Sequence, residues 1–304
     1  MNLNQIIQGD VLDCLKNIPD QSVQCVVTSP PYWGLRDYNV SGQLGLESSP
    51  DEFVDNLVKV FREIKRVLKD DGTLWLNLGD SYYRSGSDQP TQRGLLNTED
   101  INQRYGFDKK HKKSHDVLKS KDLIGIPWKV AFALQADGWY LIWHKPNPMP
   151  ESVKDRCTKS HEYIFLLSKS AKYFYDADGI SEKTLTKDNT NRNRDITKLN
   201  NTPGRTKMNG LKTNNYETKN KRSVWKINTK PYKDAHFATF PPELPELCIK
   251  AGSKENDIIL DPFFGSGTTG WVAQRLGRKW LGIELNPEYI KIAEKRFLQQ
   301  ELFI

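Results

Sequence analysis

The 304-residue sequence has no run of about 18 apolar residues, which is the minimum for a membrane-spanning helix. Its first ten residues, MNLNQIIQGD, also lack the basic and apolar regions of a secretory signal peptide. We therefore expect no membrane association and a cytoplasmic protein.

Cysteine is scarce, and its positions exclude two further classes of protein. The four cysteines, Cys14, Cys25, Cys157 and Cys248, form no C-x-x-C pair and have no histidines at zinc-finger spacing. We expect neither a metal site nor a disulfide framework. In addition, no cysteine follows a proline.

Positive charge is concentrated in two segments, although the whole chain carries a net charge of +7. Residues 183–233 contain 14 Lys/Arg and 3 Asp/Glu, and residues 109–121 contain six lysines and one aspartate. The remainder is acidic. Such segregation indicates a polyanionic partner at the basic segments, whereas the alternative for the lysine run alone is a solvated loop.

Alternating strand and helix patterns at both ends of the chain predict an α/β fold with a mostly parallel sheet. Two strand patterns in the middle, WYLIWHK and HEYIFLLSK, have no helix between them and predict an antiparallel pair at one end of the sheet. We predict a first part at 1–176 with a mobile insertion at 81–121, a basic region at 177–235, and a last part at 236–304.

A glycine-rich turn, DPFFGSGTTG, follows a predicted strand and precedes a predicted helix near the C-terminus. Gly265, Gly267 and Gly270 fit G-x-G-x-x-G, and Glu284 lies after the next strand, where an acidic ligand of a ribose is expected. Trp271 stands where a phosphate loop would have lysine. The motif predicts a nucleoside-containing cofactor, and a dinucleotide remains possible from the glycines alone.

Two aspartates narrow the choice of cofactor. Asp261 beside the turn would repel a pyrophosphate but suits a cofactor with a cationic amine and no phosphate, such as S-adenosylmethionine. Asp10, at the end of the first predicted strand, is a candidate acceptor for the adenine amino group, a helix N-cap, or both.

The stretch VVTSPPYWGLRDY leaves another predicted strand through Ser29, Pro30, Pro31 and Tyr32. Together with DPFFGSGTTG, it resembles the catalytic and cofactor motifs of DNA amino-methyltransferases, in the order typical of their beta group. The segments GD at 9–10, HFATFPPEL and GIELNPEY extend this resemblance over most of the chain.

The resemblance implies a Rossmann-like, doubly wound fold with circularly permuted motifs, S-adenosylmethionine as cofactor and double-stranded DNA as substrate. It implies that 177–235 is the target-recognition region and that any companion restriction endonuclease is a separate chain, while the oligomeric state stays open. Ser29, Pro30, Pro31 and Tyr32 would be catalytic. The cofactor-binding residues would be Asp10, Asp261, Pro262, Phe263, Gly265, Ser266, Gly267, Thr268 and Glu284.

The chemistry of an aromatic amine explains this residue choice. Its lone pair is delocalised, so the nitrogen is a poor nucleophile until acceptors such as the Ser29 hydroxyl and the Pro30 carbonyl draw on its hydrogens. The two prolines hold these acceptors stiffly, and Tyr32 offers a ring on which an extruded base can stack. Trp33 is better explained by core packing.

The sequence narrows the choice of target atom to cytosine N4 and adenine N6. Methylation at cytosine C5 resembles a scheme that uses a cysteine after proline, which this chain lacks. Serine in the first motif position favours cytosine N4 over adenine N6, although serine-bearing adenine enzymes exist. Two other classes stay open: a nicotinamide-dependent oxidoreductase, and a nucleic-acid-binding protein with an inactive cofactor pocket.

Overall fold

The computed structural model describes residues 1–83, 118–119, 121–146, 162–183, 218–228 and 240–301. Most of the insertion predicted at 81–121 and most of the predicted recognition region at 177–235 lie outside these ranges. The base of the insertion is described, and backbone hydrogen bonds join Tyr83 to Lys121 and Asp122 there.

Nine strands are present in the described residues, and seven of them form one sheet. In chain order the strands are β1 (Gln5–Gln8), β2 (Val23–Thr28), β3 (Leu68–Leu78), β4 (Tyr140–Pro146), β5 (Tyr163–Ser168), β6 (Glu182–Lys183), β7 (Thr218–Lys219), β8 (Ile258–Asp261) and β9 (Lys279–Glu284). The large sheet has the order β1-β9-β8-β2-β3-β5-β4, and β6 pairs with β7 separately.

Strands β1, β9, β8, β2 and β3 are parallel, whereas β5 runs antiparallel to both β3 and β4. This confirms the predicted α/β fold with an antiparallel pair at one end of the sheet. Because parallel strands end at the same edge, the motifs after β1, β2, β8 and β9 converge there.

Six α-helices within the described residues flank this sheet: α1 (Val11–Lys16), α2 (Pro50–Val67), α3 (Ile126–Ala136), α4 (Glu243–Gly252), α5 (Thr268–Arg275) and α6 (Pro287–Glu301). Helix α2 contacts α1 and α3, and α5 contacts α4 and α6, so two helical layers cover the sheet. The glycine turn is the short connection between the end of β8 and the start of α5.

Helix α2 begins at residues that are typical of a helix start. Ser49 is the N-cap and accepts a hydrogen bond from the Glu52 amide, Pro50 is the first helical residue, and the apolar stripe is buried. The reciprocal bond of a capping box is displaced by one residue, because the Glu52 carboxylate accepts from the amide and hydroxyl of Ser48.

The chain divides into two compact units, Met1–Asp176 with Ser223–Ile304, and Ala177–Arg222. The described part of the smaller unit contains a 3-10 turn at Asp178–Ile180 and the β6–β7 pair, and Glu182 forms ion pairs with Lys221 and Arg222. The division of the chain into catalytic, recognition and cofactor parts remains a prediction.

The helices of the described ranges include none with both the length and the apolar character needed to cross a bilayer.

Candidate active site

One cavity of about 280 Å³ opens at the edge of the sheet where the predicted motifs converge. Asp261 and Gly267 are the only predicted site residues outside its lining. The predicted residues that line it are Asp10, Ser29, Pro30, Pro31, Tyr32, Pro262, Phe263, Gly265, Ser266, Thr268 and Glu284.

The glycine turn forms one wall of the cavity. Gly265 and Gly267 have φ values of +51° and +78°, which L residues with side chains rarely adopt. A Cβ on Gly267 would lie 3.0 Å from the Cβ of Ala293 and 3.2 Å from the Phe264 ring. Gly267 is therefore required by conformation and packing, while its neighbours in the turn face the cavity.

Glu284 is fixed against this turn by the backbone. One carboxylate oxygen accepts from the Gly265 amide at 2.7 Å, and the other accepts from the Asn286 amide at 2.8 Å. Burial raises the pKa of the Glu284 carboxyl, although these amide bonds act in the opposite direction. The result is a rigid acidic acceptor at the end of β9.

Asp10 is an N-cap and also lines the cavity. Its Oδ1 accepts from the amides of Leu12 and Asp13 at 2.9 and 3.2 Å, so the two capping bonds use the same oxygen. Both functions foreseen for this aspartate are thus compatible with its position.

Asp261 is predicted to face the cofactor amine, but its side chain lies outside the lining of the cavity. The side chain is 1% exposed and accepts 2.7 Å hydrogen bonds from the hydroxyls of Thr28 and Thr269. Burial raises the pKa of this carboxyl to about 7, against the opposing effect of its hydrogen bonds. Because Thr28 precedes Ser29 and Thr269 lies in the first turn of α5, the carboxyl links the catalytic strand to the cofactor turn.

Arg296, a residue that the sequence analysis did not single out, reaches the same turn from α6. Its Nη1 donates to the Thr268 hydroxyl at 2.6 Å and to the Ser266 carbonyl at 3.1 Å, and its side chain is buried. The guanidinium also lies 5.7 Å from the Trp271 ring centroid. No periodic or motif signal distinguishes this arginine from the other charges of the helix.

The predicted catalytic corner, Ser29 to Tyr32, follows β2. The Ser29 hydroxyl lies 3.4 Å from the Tyr32 hydroxyl, and the Tyr32 ring packs so closely on Gly79 that a Cβ there would lie 2.5 Å from it. Burial, followed by the charge of Glu162, raises the pKa of Tyr32 well above its usual range. The phenol is therefore neutral.

Two further buried polar residues join this corner. The Asn77 amide nitrogen lies 3.4 Å from the Ser29 hydroxyl, 3.3 Å from the Tyr32 hydroxyl and 3.2 Å from a Glu162 carboxylate oxygen. Glu162 immediately precedes β5, which is antiparallel, so its amino end lies at the carboxyl edge of the parallel strands. The sequence signal was present, since an antiparallel strand brings its preceding residue to this edge.

The loop after the catalytic motif forms another wall, which the sequence analysis also missed. Gln43 organises it, because its side chain accepts from the Tyr38 amide at 2.7 Å and donates to the Arg36 carbonyl at 3.2 Å. The Tyr38 ring packs edge-on against Tyr289 of α6 at 5.9 Å. The loop thus connects the catalytic corner to the helix that follows the cofactor motif.

The chain is similar to known DNA methylases. A family model described as DNA methylase, covering the N6 and N4 enzymes, matches residues 23–295. The type II methyltransferase M.Cfr9I of Citrobacter freundii is 47% identical over 306 residues, covering 97% of this chain and 88% of that protein.

Solved structures share the fold. The PvuII DNA methyltransferase, described as cytosine-N4-specific, aligns with a TM-score of 0.64 at 20% identity, over 96% of this chain and 86% of that one. A putative DNA modification methylase from Thermus thermophilus, in complex with S-adenosyl-L-methionine, aligns with a TM-score of 0.59 at 23% identity, over 97% and 93%.

Proposed function

Because the chain belongs to the N6/N4 DNA methylase family, it is an S-adenosylmethionine-dependent DNA amino-methyltransferase, and we propose that its target atom is cytosine N4. The observation that supports methyl transfer to an exocyclic amine is the shared cavity. It joins the serine of the corner after β2 to the glycine turn after β8, although the Thr28 and Asp261 that precede these motifs are 233 residues apart.

The residues around the glycine turn fit the cofactor. The fixed carboxylate of Glu284 suits a ribose diol, the second oxygen of Asp10 suits an amino group, and Pro262 and Phe263 offer apolar surface for an adenine. When bound, S-adenosylmethionine supplies a methyl group activated by its sulfonium. We assign Ser266 and Thr268 to this cofactor subsite as well, with Gly265 and Gly267 shaping the turn and Asp261 acting indirectly.

Ser29 and the Pro30 carbonyl are proposed to receive the target amine. As acceptors they draw on the amine hydrogens and leave the nitrogen lone pair available for attack. Pro31 keeps the backbone extended, and Tyr32 forms the wall against which the extruded base would rest. This part of the cavity therefore supplies alignment and electrostatic stabilisation without a covalent intermediate.

Two features support cytosine over adenine. The first motif residue is Ser29, which in this family is more often found in cytosine N4 enzymes than aspartate is. The PvuII enzyme, which is described as cytosine-N4-specific, has the same fold. Adenine N6 is the alternative, since the same acceptors serve either amine.

We further propose that residues 177–235 read the target sequence in double-stranded DNA. The segment is strongly basic and rich in Asn, Thr, Lys and Arg, which contact phosphates and base edges. Since M.Cfr9I is described as a type II methyltransferase, a companion restriction endonuclease on another chain is the expected partner.

The testing experiment is incubation of the purified protein with unmethylated bacterial DNA and labelled S-adenosylmethionine. Nucleoside digestion and mass spectrometry then identify the product, and sequencing of the methylated positions gives the target. Label in N4-methylcytosine supports the proposal, whereas label in N6-methyladenine reverses the base assignment. Absence of transfer from a folded, cofactor-binding protein contradicts DNA methylation by this chain.

A further inference from the structure

The amide of Asn77 lies beside the Ser29 hydroxyl and has no role in the methyl transfer as proposed. Asn77 follows Leu76, which pairs with Thr28 across the parallel β2–β3 ladder, so its side chain lies beside Ser29. The residue is only 3% exposed. Its nitrogen contacts three oxygens at 3.2 to 3.4 Å, at the long end of the hydrogen-bond range, as in catalytic networks that tighten when substrate binds.

Glu162 determines which end of this amide faces the serine. A carboxylate only accepts hydrogen bonds, so it pairs with the Asn77 nitrogen and would repel the Asn77 oxygen. That oxygen has no hydrogen-bond partner among the described residues, so no donor there favours the reversed orientation of the amide. The amide nitrogen is directed to the side where Ser29 and Tyr32 lie.

The direction of the amide fixes the direction of the serine hydroxyl. A serine hydroxyl has one hydrogen and two lone pairs. The Asn77 N–H occupies one lone pair, and the hydroxyl hydrogen is donated to the Tyr32 oxygen at 3.4 Å. One lone pair of Ser29 remains for the cavity, so that the hydroxyl presents an acceptor and no donor there.

Resting on the proposed function, we infer that Asn77, held by Glu162, is a positioning residue that makes Ser29 an obligate acceptor and thereby selects a base with an exocyclic amine. An amine donates to this lone pair. A base with a carbonyl in the same place brings two acceptors together and leaves both unpaired in a buried site. Without Asn77 the Ser29 hydroxyl is free to rotate and donate to a carbonyl.

The test compares the wild type with Asn77→Leu, which keeps the side-chain volume and removes the donor. It uses the duplex mapped in the methylation experiment and a second duplex in which a carbonyl replaces the amine of the target base, uracil for cytosine or hypoxanthine for adenine. We expect the wild type to bind the amine duplex about tenfold more tightly, in the presence of S-adenosylhomocysteine. In Asn77→Leu this ratio falls to within about twofold of one, and kcat falls about 10- to 100-fold.

A merely structural role would not produce this pattern. We expect the Kd of Asn77→Leu for S-adenosylmethionine to stay within about twofold of the wild type, because the cofactor subsite is formed by other residues. Glu162→Gln is the second variant. Its glutamine amide can pair with either end of the Asn77 amide, so Asn77 is no longer held in one orientation. We expect an amine-to-carbonyl affinity ratio between those of the wild type and Asn77→Leu. If Asn77→Leu does not fold, Glu162→Gln decides alone.

An unchanged amine-to-carbonyl ratio in the folded variant overturns the inference, and so does an equal loss of cofactor affinity and turnover. The proposed function fails separately, because its failure shows as absence of methyl transfer by the wild type. The two outcomes are therefore distinguishable.

Discussion

At the scale of single residues, a change at Ser29 tests whether methyl transfer and cofactor binding depend on different residues. Ser29 lies in the corner after β2, whereas the proposed cofactor subsite consists of cavity residues that follow β1, β8 and β9. For Ser29→Ala we expect kcat to fall about 100-fold or more, as for removal of a preorganised polar group, with cofactor Kd within about twofold of wild type. Initial rates of methyl transfer and isothermal titration calorimetry measure the two quantities.

Ser170→Ala provides the matched control for this change, because Ser170 is a half-buried serine outside the cavity lining whose hydroxyl bonds within its own turn. We expect it to retain wild-type kcat. Equal losses of turnover and cofactor affinity in Ser29→Ala would contradict the separation of roles.

Asp261 makes stability depend on pH. Its carboxyl has a pKa of about 7 in the folded protein, well above that of an unfolded chain, so the folded state retains a proton that the unfolded state releases. A protonated Asp261 can donate to Thr269, whose hydroxyl also lies 3.4 Å from the Val27 carbonyl. The stability contribution of this group is complete below about pH 4 and is lost as pH rises through about 7.

We therefore expect Asp261→Asn to be less sensitive to alkaline conditions than the wild type. Between about pH 5.5 and 8.5, the free energy of unfolding of the wild type should fall relative to that of Asp261→Asn by up to about 2 kcal/mol. Urea unfolding at the two pH values measures this difference, in which the shared titrations of other groups largely cancel. A difference that is constant with pH would show that the carboxyl is ionised throughout.

At the scale of elements, helix α6 stabilises the cofactor turn through Arg296. One guanidinium nitrogen bonds both the Ser266 carbonyl and the Thr268 hydroxyl. We expect Arg296→Met to raise the Kd for S-adenosylmethionine about tenfold, or ~1.4 kcal/mol, because charged hydrogen bonds that order the turn are lost. With saturating cofactor, kcat should stay within about threefold of the wild type.

Lys291→Met on the same helix is the control, since Lys291 is exposed and pairs with Glu288 of its own helix. It should leave cofactor Kd unchanged. An effect of Lys291→Met as large as that of Arg296→Met would attribute the loss to helix stability instead of the turn.

Elements were predictable from sequence wherever local signals coincide. Helix α2 combines an N-cap serine, a first-turn proline and a buried stripe, and α6 begins at Pro287 after the capping Asn286, so both starts agree with the structure. The direction of a side chain within the site was not predictable. Asp261 was expected to face a ligand, but the carboxyl is surrounded by two threonine hydroxyls, which depend on packing between β2 and α5.

Contacts between distant segments were also missed, for the same reason. Asn77 and Glu162 are joined only because β5 lies antiparallel beside β3. Arg296 has a functional position only because α6 packs beside α5. Composition and periodicity report which face of an element is buried, but the identity of its neighbour requires the tertiary structure.

At the scale of the whole molecule, two motifs that lie far apart in the chain meet at one edge of the sheet. The catalytic motif lies near the N-terminus and the glycine motif near the C-terminus, yet the sheet order β9-β8-β2-β3 brings their strands side by side. Because both motifs lie near the ends of the chain, the middle of the chain can contribute to DNA binding. The two basic segments of the sequence both lie in that middle part.

The two basic segments should differ in their contribution to DNA binding. Replacement of Arg192, Arg194, Arg205 and Lys207 by glutamine removes four charges from the predicted recognition region. We expect this variant to weaken DNA binding at least about tenfold and to lower the slope of log Kd against log salt, by up to about 0.9 for each lost phosphate contact. Fluorescence anisotropy with a labelled duplex at several salt concentrations measures both effects.

Replacement of Lys109, Lys110, Lys112 and Lys113 by glutamine is the matched control, because it removes the same charge from the lysine run. If the run is a solvated loop, the salt slope stays near the wild-type value, while cofactor Kd is unchanged in both variants. Because counterion release depends on which charges lie against phosphates and not on net charge, the slopes distinguish the two segments even though both variants lose four charges. A larger change of slope in the lysine-run variant would assign phosphate contact to the insertion and contradict the predicted role of 177–235.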